Sequence, residues 1–145
     1  MIKQLNLTHM EQIEELFLSV FTKAPWFDDW SNKEQLHAYM RDLLGNPNSL
    51  AFGFMKEDKL IGIALGRIVH FYAGTEFFID EFCISTKEQG RGSGSQFMRE
   101  IQEALIELGI HNIFLMTERN VPAFGFYQKQ GFELLENHVG FTKSF

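Results

Sequence analysis

Four clusters of residues have types and spacings that could do chemistry. Gln89-Gly90-Arg91-Gly92-Ser93-Gly94-Ser95 places three glycines within five residues, just before a helical pattern. A helix start exposes N–H groups without intrahelical partners at the positive end of the dipole. Glycines let a ligand approach that backbone, so an anion, above all a phosphate, suits the place. Two common nucleotide loops do not match. No lysine stands where a Gly-Lys-Ser/Thr loop needs one, and Ser95 stands where a dinucleotide loop counted from Gly90 needs its third glycine. A plain connecting turn would need fewer glycines. Upstream, Asp80-Glu81 interrupts the apolar run Phe77-Phe78-Ile79 and Phe82-Cys83-Ile84. Strand alternation sends the two carboxylates to opposite faces, and neither can be buried unpaired without heavy cost, so each needs a partner or a cleft. Tyr127 follows Phe126 in a helical stretch; a phenol there could supply a proton or simply pack. Trp26-Phe27-Asp28-Asp29-Trp30 puts two indoles and two carboxylates in one short loop. That combination suits a cation, or anchors the loop through its rings.

Other reactive types are less promising. Cys83 lies mid-strand between Phe82 and Ile84, where a thiol behaves as a small core hydrophobe, and no activating base is visible near it. The five histidines, His9, His37, His70, His111 and His138, show no metal-ligand spacing, so no metal is expected.

The elements that must position these residues follow from periodicity. Ile2–Leu5 suits a short strand. Thr8-x-x-Glu11 forms a capping box before the stripe Met10, Ile13, Leu16, Phe17, Val20 and Phe21. Ser31-x-x-Glu34 forms another before Leu36, Tyr39, Met40, Leu43 and Leu44, which Gly45-Asn46-Pro47-Asn48 ends. Strands are expected over 50–55, 60–71 and 76–85, the last apolar on both parities and therefore covered on both faces. A helix carrying Phe97, Ile101, Ala104, Leu105 and Leu108 stops at Gly109. A strand over 112–117, a helix over 121–129 and closing strands over 132–135 and 139–145 complete the chain. The expected fold class is α/β: a single mixed, mostly antiparallel central sheet with helices on both faces, in the order β-α-α-β-β-β-α-β-α-β-β.

Composition bounds the function. The chain has 145 residues, one domain's length, so 1–145 reads as a single domain. Lys+Arg total 13 against 19 Asp+Glu, a net charge of −6. That acidity, with no basic stripe, argues against nucleic acid and favours a cationic partner. A single cysteine excludes an internal disulfide and multi-cysteine zinc cages, and fits a reducing cytosol. No apolar run approaches the ~20 residues of a membrane span, and the N-terminus lacks a leader's apolar core. A soluble cytoplasmic protein without membrane contact is the expectation.

Two motifs carry a resemblance. A strand ending in Ile84, followed by Gln89-x-x-Gly92-x-Gly94 opening a helix, is similar to the signature of the GNAT superfamily of acetyl-CoA-dependent acetyltransferases. Asn120-Val121-Pro122-Ala123 with Phe126-Tyr127-Gln128-Lys129-Gln130-Gly131-Phe132 resembles its second signature, and the element order agrees over essentially the whole chain. The resemblance implies acetyl-CoA as co-substrate. Its pyrophosphate would lie on Gln89, Gly90, Arg91, Gly92, Ser93, Gly94 and Ser95. Its pantetheine arm would run along Phe82, Cys83 and Ile84, where this strand splays from the next, and meet Asn120, whose simpler reading is an N-cap.

The resemblance also assigns roles. A primary amine is almost wholly protonated at neutral pH, so its proton must be accepted before it can attack a thioester. Asp80 is the favoured base and Glu81 a second substrate contact, while Tyr127 protonates the departing thiolate. Trp26, Asp28, Asp29 and Trp30 would form a wall of the acceptor site. Pro25-Trp26 resembles, in reversed order, an element of aminoglycoside 6′-N-acetyltransferases. The expected reaction is acetyl transfer to a small cationic amine, polyamine or aminoglycoside-like. A protein lysine or N-terminal acetyltransferase and a non-catalytic CoA-binding sensor are the alternatives. The segment 139–145 could pair across a homodimer.

Overall fold

A computed structural model describes residues 1–145. Its sheet has five strands in sequence order: β1 (Ile2–Leu5), β2 (Ser49–Lys56), β3 (Lys59–Phe71), β4 (Gly74–Ile84) and β5 (Ile113–Leu115). Strands β1 to β4 are antiparallel, and β5 runs parallel to β4. A parallel neighbour demands a crossover, supplied here by helix α3 (Ser93–Glu107). Helices α1 (Met10–Phe21) and α2 (Lys33–Leu44) cover one sheet face; α3 and α4 (Pro122–Lys129) lie against the other. The expected fold class therefore holds.

Each face has its own core. Ile13, Phe17, Leu36 and Met40 pack on Ile63, Leu65 and Cys83 on the first face. Phe97, Met98 and Ile101 pack on Phe54, Ala64 and Phe77 on the second. The alternation of β3 explains the division: Ile63 and Leu65 point one way, Ala64 the other. Phe54 and Phe82 flank Phe97 in stacked pairs at 5.1 and 5.5 Å. No helix is long and apolar enough to cross a membrane.

The hairpin between β2 and β3 turns through Glu57 and Asp58, both at positive φ (51° and 62°), with Lys56 opposite Lys59. Positive φ at both central residues is what a two-residue turn needs to match the strands' right-handed twist.

The helix starts differ from expectation. The first helix is entered through a 3₁₀ turn (Leu7–His9) capped by Asn6, whose Oδ1 accepts from the Thr8 N–H, while His9 Nδ1 accepts from the Asn6 N–H. The second is capped by Asn32, which accepts from the Gln35 N–H. In both places an asparagine within two residues of the hydroxyl takes the capping role, its amide oxygen reaching an N–H two or three positions on, so the cap is displaced along the chain. The closing strands expected over 132–135 and 139–145 are not formed: no residue after α4 joins the sheet. Leu134, Leu135, Val139, Phe141 and Phe145 are exposed there.

A bulge at the centre of the sheet has the largest functional consequence. Leu65 pairs with Glu81 and Gly66 with Ile79, so Asp80 is an extra residue without a partner in β3. Gly66 is required at this bend: a Cβ there would sit 1.9 Å from the Phe78 carbonyl oxygen and 2.9 Å from the Phe77 ring. We expect Gly66→Ala to cost about 2 kcal/mol or more in urea unfolding, because β3 and β4 must separate to admit the methyl. Stability equal to wild type would show that the bulge relaxes freely.

Candidate active site

The bulge overturns the expectation that Asp80 and Glu81 face opposite ways. Inserting one residue resets the alternation, and both carboxylates emerge on the face covered by α1 and α2. Asp80 meets Arg67 of β3, both of its oxygens 2.9 Å from the same guanidinium nitrogen, with the guanidinium 5.2 Å above the Phe78 ring. Glu81 accepts a 2.6 Å hydrogen bond from the Tyr39 hydroxyl of α2 on Oε1. Burial pushes the Glu81 carboxyl up to about 7; the Tyr39 hydrogen bond opposes this, and the Asp28 and Asp80 charges add to it. Burial likewise raises the Tyr39 phenol, as do its bond to Glu81 and the carboxylate charges around it. A cavity of 310 Å³, lined by Tyr39, Asp42, Asn48, Ser49, Arg67 and Asp80, opens beside the ion pair.

Strand β4 leaves β5 after three residue pairs, Phe77–Ile113 to Ile79–Leu115. From Asp80 to Ile84 its edge toward β5 is unpaired. The expected splay is therefore present, and Phe82, Cys83 and Ile84 all lie along it. The Cys83 thiol points into the α1/α2 core, and burial raises its pKa, so only the main chain of this residue is available to a ligand.

Across the open edge, on the second face, Tyr127 of α4 is held by aromatic rings. Phe82, Phe126 and Phe132 lie 6.2, 5.4 and 5.4 Å from it in edge-on contacts. Burial is the first cause raising its phenol pKa, with the charges of Cys83 and Glu81 adding. The phenol therefore keeps its proton at neutral pH. Glu81 and Tyr127 thus lie on opposite faces of the sheet beside the unpaired stretch of β4, Glu81 within it and Tyr127 against Phe82.

The glycine loop lies at the end of that gap. Gly90 and Gly92 have φ of 76° and 79°, and a Cβ at either would meet nothing within 4 Å. Gly92 is the N-cap of α3 and gives it no side-chain cap, so the first-turn donors are not covered by a side chain. Gly94 serves packing instead, since a Cβ there would approach the Phe126 ring to 2.9 Å. Arg91 is exposed. The Gln89 side chain donates to the Ile84 carbonyl at 2.9 Å and ties the loop to the strand end. Ser95 Oγ accepts from Gln130 at 2.7 Å, joining α3 to the end of α4. Uncovered helix donors, open glycines and an unpaired strand edge make a cradle that fits a phosphate-bearing chain such as acetyl-CoA. Asn120 is exposed and lies one residue before the N-cap of α4, which is Val121, so it does not cap that helix.

The tryptophan loop packs on the first core. Trp26 lies 5.6 Å from Phe21, and Trp30 stacks on Tyr39 at 5.3 Å with its plane tilted 12°. Asp28 lies near enough to raise both Glu81 and Tyr39 through its charge. Asp29 turns inward on its own loop: its carboxylate accepts from the Ser31 N–H at 3.0 Å, and bonding to Ser31 lowers its pKa. No three His, Cys, Asp or Glu side chains gather where they could hold an ion.

Sequence reasoning missed two residues here. Arg67 gave a signal, a lone cation in the apolar run Leu60–Phe71. Tyr39 gave none, because it sits on the buried stripe of its helix, where an aromatic residue reads as core.

Comparison with known proteins agrees with this fold. Residues 10–132 match the model of the acetyltransferase (GNAT) family. No curated protein sequence matches the chain. Among solved structures, an aminoglycoside acetyltransferase, meta-AAC0020 from an uncultured soil metagenomic sample, crystallised with sisomicin, superposes with a TM-score of 0.76 at 20% identity, covering 100% of this chain and 95% of that one. The aminoglycoside N-acetyltransferase AAC(6′)-Iy in complex with CoA gives 0.76 at 21% identity, over 99% and 93%. A Vibrio cholerae integron cassette protein gives 0.79 at 16%, over 99% and 91%. The family match spans most of the chain and contains the carboxylate pair, the glycine loop and the tyrosine, so this chain belongs to the GNAT acetyltransferase family, the acetyl-CoA-dependent N-acetyltransferases.

Proposed function

We propose that the protein acetylates a small cationic amine by direct attack on acetyl-CoA, with Glu81 as general base and Tyr127 as general acid. The observation that supports the reading is the placement of Glu81 and Tyr127 on the two faces of the unpaired stretch of β4, with the glycine loop at its end. Acetyl-CoA would lie with its phosphates on the 89–95 loop and its arm along Phe82 to Ile84. Glu81 takes one proton from the ammonium, directly or through one water, leaving a neutral amine to form the new C–N bond at the thioester carbon. As the C–S bond breaks, Tyr127 gives its proton to the departing sulfur.

Two observations support Glu81 over Asp80 as base. Asp80 has both oxygens committed to Arg67, whereas Oε2 of Glu81 is free of the Tyr39 bond. A pKa near 7 also suits proton acceptance at neutral pH. Asp80 then serves with Asp28 to attract the cation. Trp26 and Asp29 form the outer wall.

A cationic acceptor is supported by the charge of −6, by the carboxylates of Asp28, Asp42 and Asp80 around the site, and by the aminoglycoside acetyltransferases among the similar structures. Pairing between two copies through 139–145 belongs to the same reading. It is supported by the exposure of Val139, Phe141 and Phe145 and by the free outer edge of β5.

The test is a panel of polyamines, aminoglycosides, a lysine peptide and glutamate, scored by release of the CoA thiol at two salt concentrations. Multivalent cations should be preferred. Their KM should rise with salt, because screening acts beyond ~8 Å at physiological strength. Preference for glutamate, or indifference to salt, would remove the cationic-amine reading. Preference for the peptide would favour a protein acetyltransferase, and binding of acetyl-CoA without thiol release from any amine would favour a sensor.

A further inference from the structure

Tyr39 is placed for more than packing. Its ring lies between Trp30, stacked at 5.3 Å and 12°, and Phe17, tilted at 6.2 Å. Phe17 in turn meets Trp30 edge-on at 5.4 Å. Two aromatic rings, one from α1 and one from the loop between the helices, thus fix the phenol of α2, and that phenol donates to Glu81 at 2.6 Å. The Trp30 Nε1–H is buried and has no hydrogen-bond partner. An unmet buried donor is unfavourable, so the position of this indole is explained by its stack on Tyr39 and not by its own polar group.

We propose that Tyr39, clamped by Trp30, is the positioning residue for the Glu81 carboxylate, so that Trp30 acts on the site through Tyr39 and not by touching the acceptor amine. The inference rests on the reading of Glu81 as base but concerns what sets that carboxylate's orientation and charge. Glu81 faces Tyr39 from α2, Asp28 from the loop, Asp80 and Cys83 from its own strand and Tyr127 from α4; Arg67 from β3 offsets Asp80. Within that set, only Tyr39 donates a hydrogen bond to Glu81, and so favours its charged form. The bond also selects one rotamer of a long side chain, leaving Oε2 directed away from Tyr39 and available for the proton. A free carboxylate at this bulge would lose that alignment along with its donor.

The test is Tyr39→Phe, which keeps the ring and its stack and removes only the hydroxyl. The Glu81 carboxyl is followed by ¹³C NMR, assigned with Glu81→Gln, alongside the pH profile of kcat/KM. The Glu81 titration should move up by about one pH unit, the effect of one lost hydrogen bond to a carboxylate. The acid limb of the profile should follow, with KM for acetyl-CoA unchanged. Trp30→Leu should move both in the same direction by less, and Trp30→Phe, which restores a ring, should reverse most of that. A Glu81 titration unmoved in Tyr39→Phe overturns the inference, whatever happens to turnover or melting temperature. A titration that moves while the acid limb stays fixed supports the inference and removes Glu81 from the base role instead. The two readings therefore fail separately.

Discussion

Glu81→Gln should lower turnover by roughly 10²- to 10⁴-fold, the range for loss of a general base. Asp80→Asn should act mainly on KM for the amine, because Asp80 is held by Arg67 and contributes charge. In the wild type, kcat/KM should rise with pH through an acid limb near 7, where Glu81 ionises. Glu81→Gln should lose that limb and recover part of its rate at high pH, where more amine is already neutral. The same carboxyl should mark the stability curve. Its folded pKa is raised, mainly by burial, from 4.5 to about 7, so the fold favours the protonated form. That contribution is fully present below about pH 4.5 and is lost as pH rises through 7, by about 3 kcal/mol across the window. Glutamine cannot ionise, so the variant should gain on the wild type in denaturant unfolding as pH goes from 5 to 8. Full turnover in Glu81→Gln together with a collapse in Asp80→Asn would transfer the base role to Asp80. Parallel stability curves would show that Glu81 is not buried as described.

The order of elements through α4 was legible because each helix has an apolar stripe and each long strand an apolar run bounded by turn residues. The glycine loop was legible because an uncovered helix start needs backbone without side chains, and that need writes itself into three glycines. What could not be read was whatever depends on register. Asp80-Glu81 looks like any two neighbours in a strand. Only the pairing of Leu65 with Glu81 and Gly66 with Ile79 makes Asp80 an extra residue and turns both acids to one face. Gly66 carries that information in the sequence, but a lone glycine in a strand marks a bend without saying what sits opposite. The caps failed on a smaller scale, since Asn6 and Asn32 lie within two residues of hydroxyls that are equally good cap types. After α4 the sequence alternates apolar residues as a strand would, but alternation makes a strand only where an edge is paired, and those residues pair with none of the five strands. Arg67 and Tyr39 belong to the site because they touch its carboxylates, a relation that joins residues thirteen and forty-two positions apart and leaves no local mark.

Gly92→Glu should abolish acetyl-CoA binding while leaving the fold in place, and the two effects can be separated by physical argument. Gly92 has φ 79° as the N-cap of α3, so any side chain there is strained by about 1–2 kcal/mol. The strain is partly offset, because a negative charge at a helix N-terminus is favourable for the helix itself. That charge also stands where the co-substrate's phosphates would accept the first-turn N–H groups, and it competes with them for the same donors. A Cβ at this position meets nothing within 4 Å, so the side chain need not disturb the core. Acetyl-CoA at a hundredfold excess over Kd should stabilise the wild type by about 2.7 kcal/mol. Gly92→Glu should show no such gain, whereas Gly92→Ala, with equal strain and no charge, should keep most of it. The measurement is unfolding with and without acetyl-CoA for the three proteins. Loss of the gain in Gly92→Ala as well would mean that backbone geometry, and not charge, governs the loop. An undiminished gain in Gly92→Glu would mean that the phosphates bind elsewhere and that the helix start is only a turn.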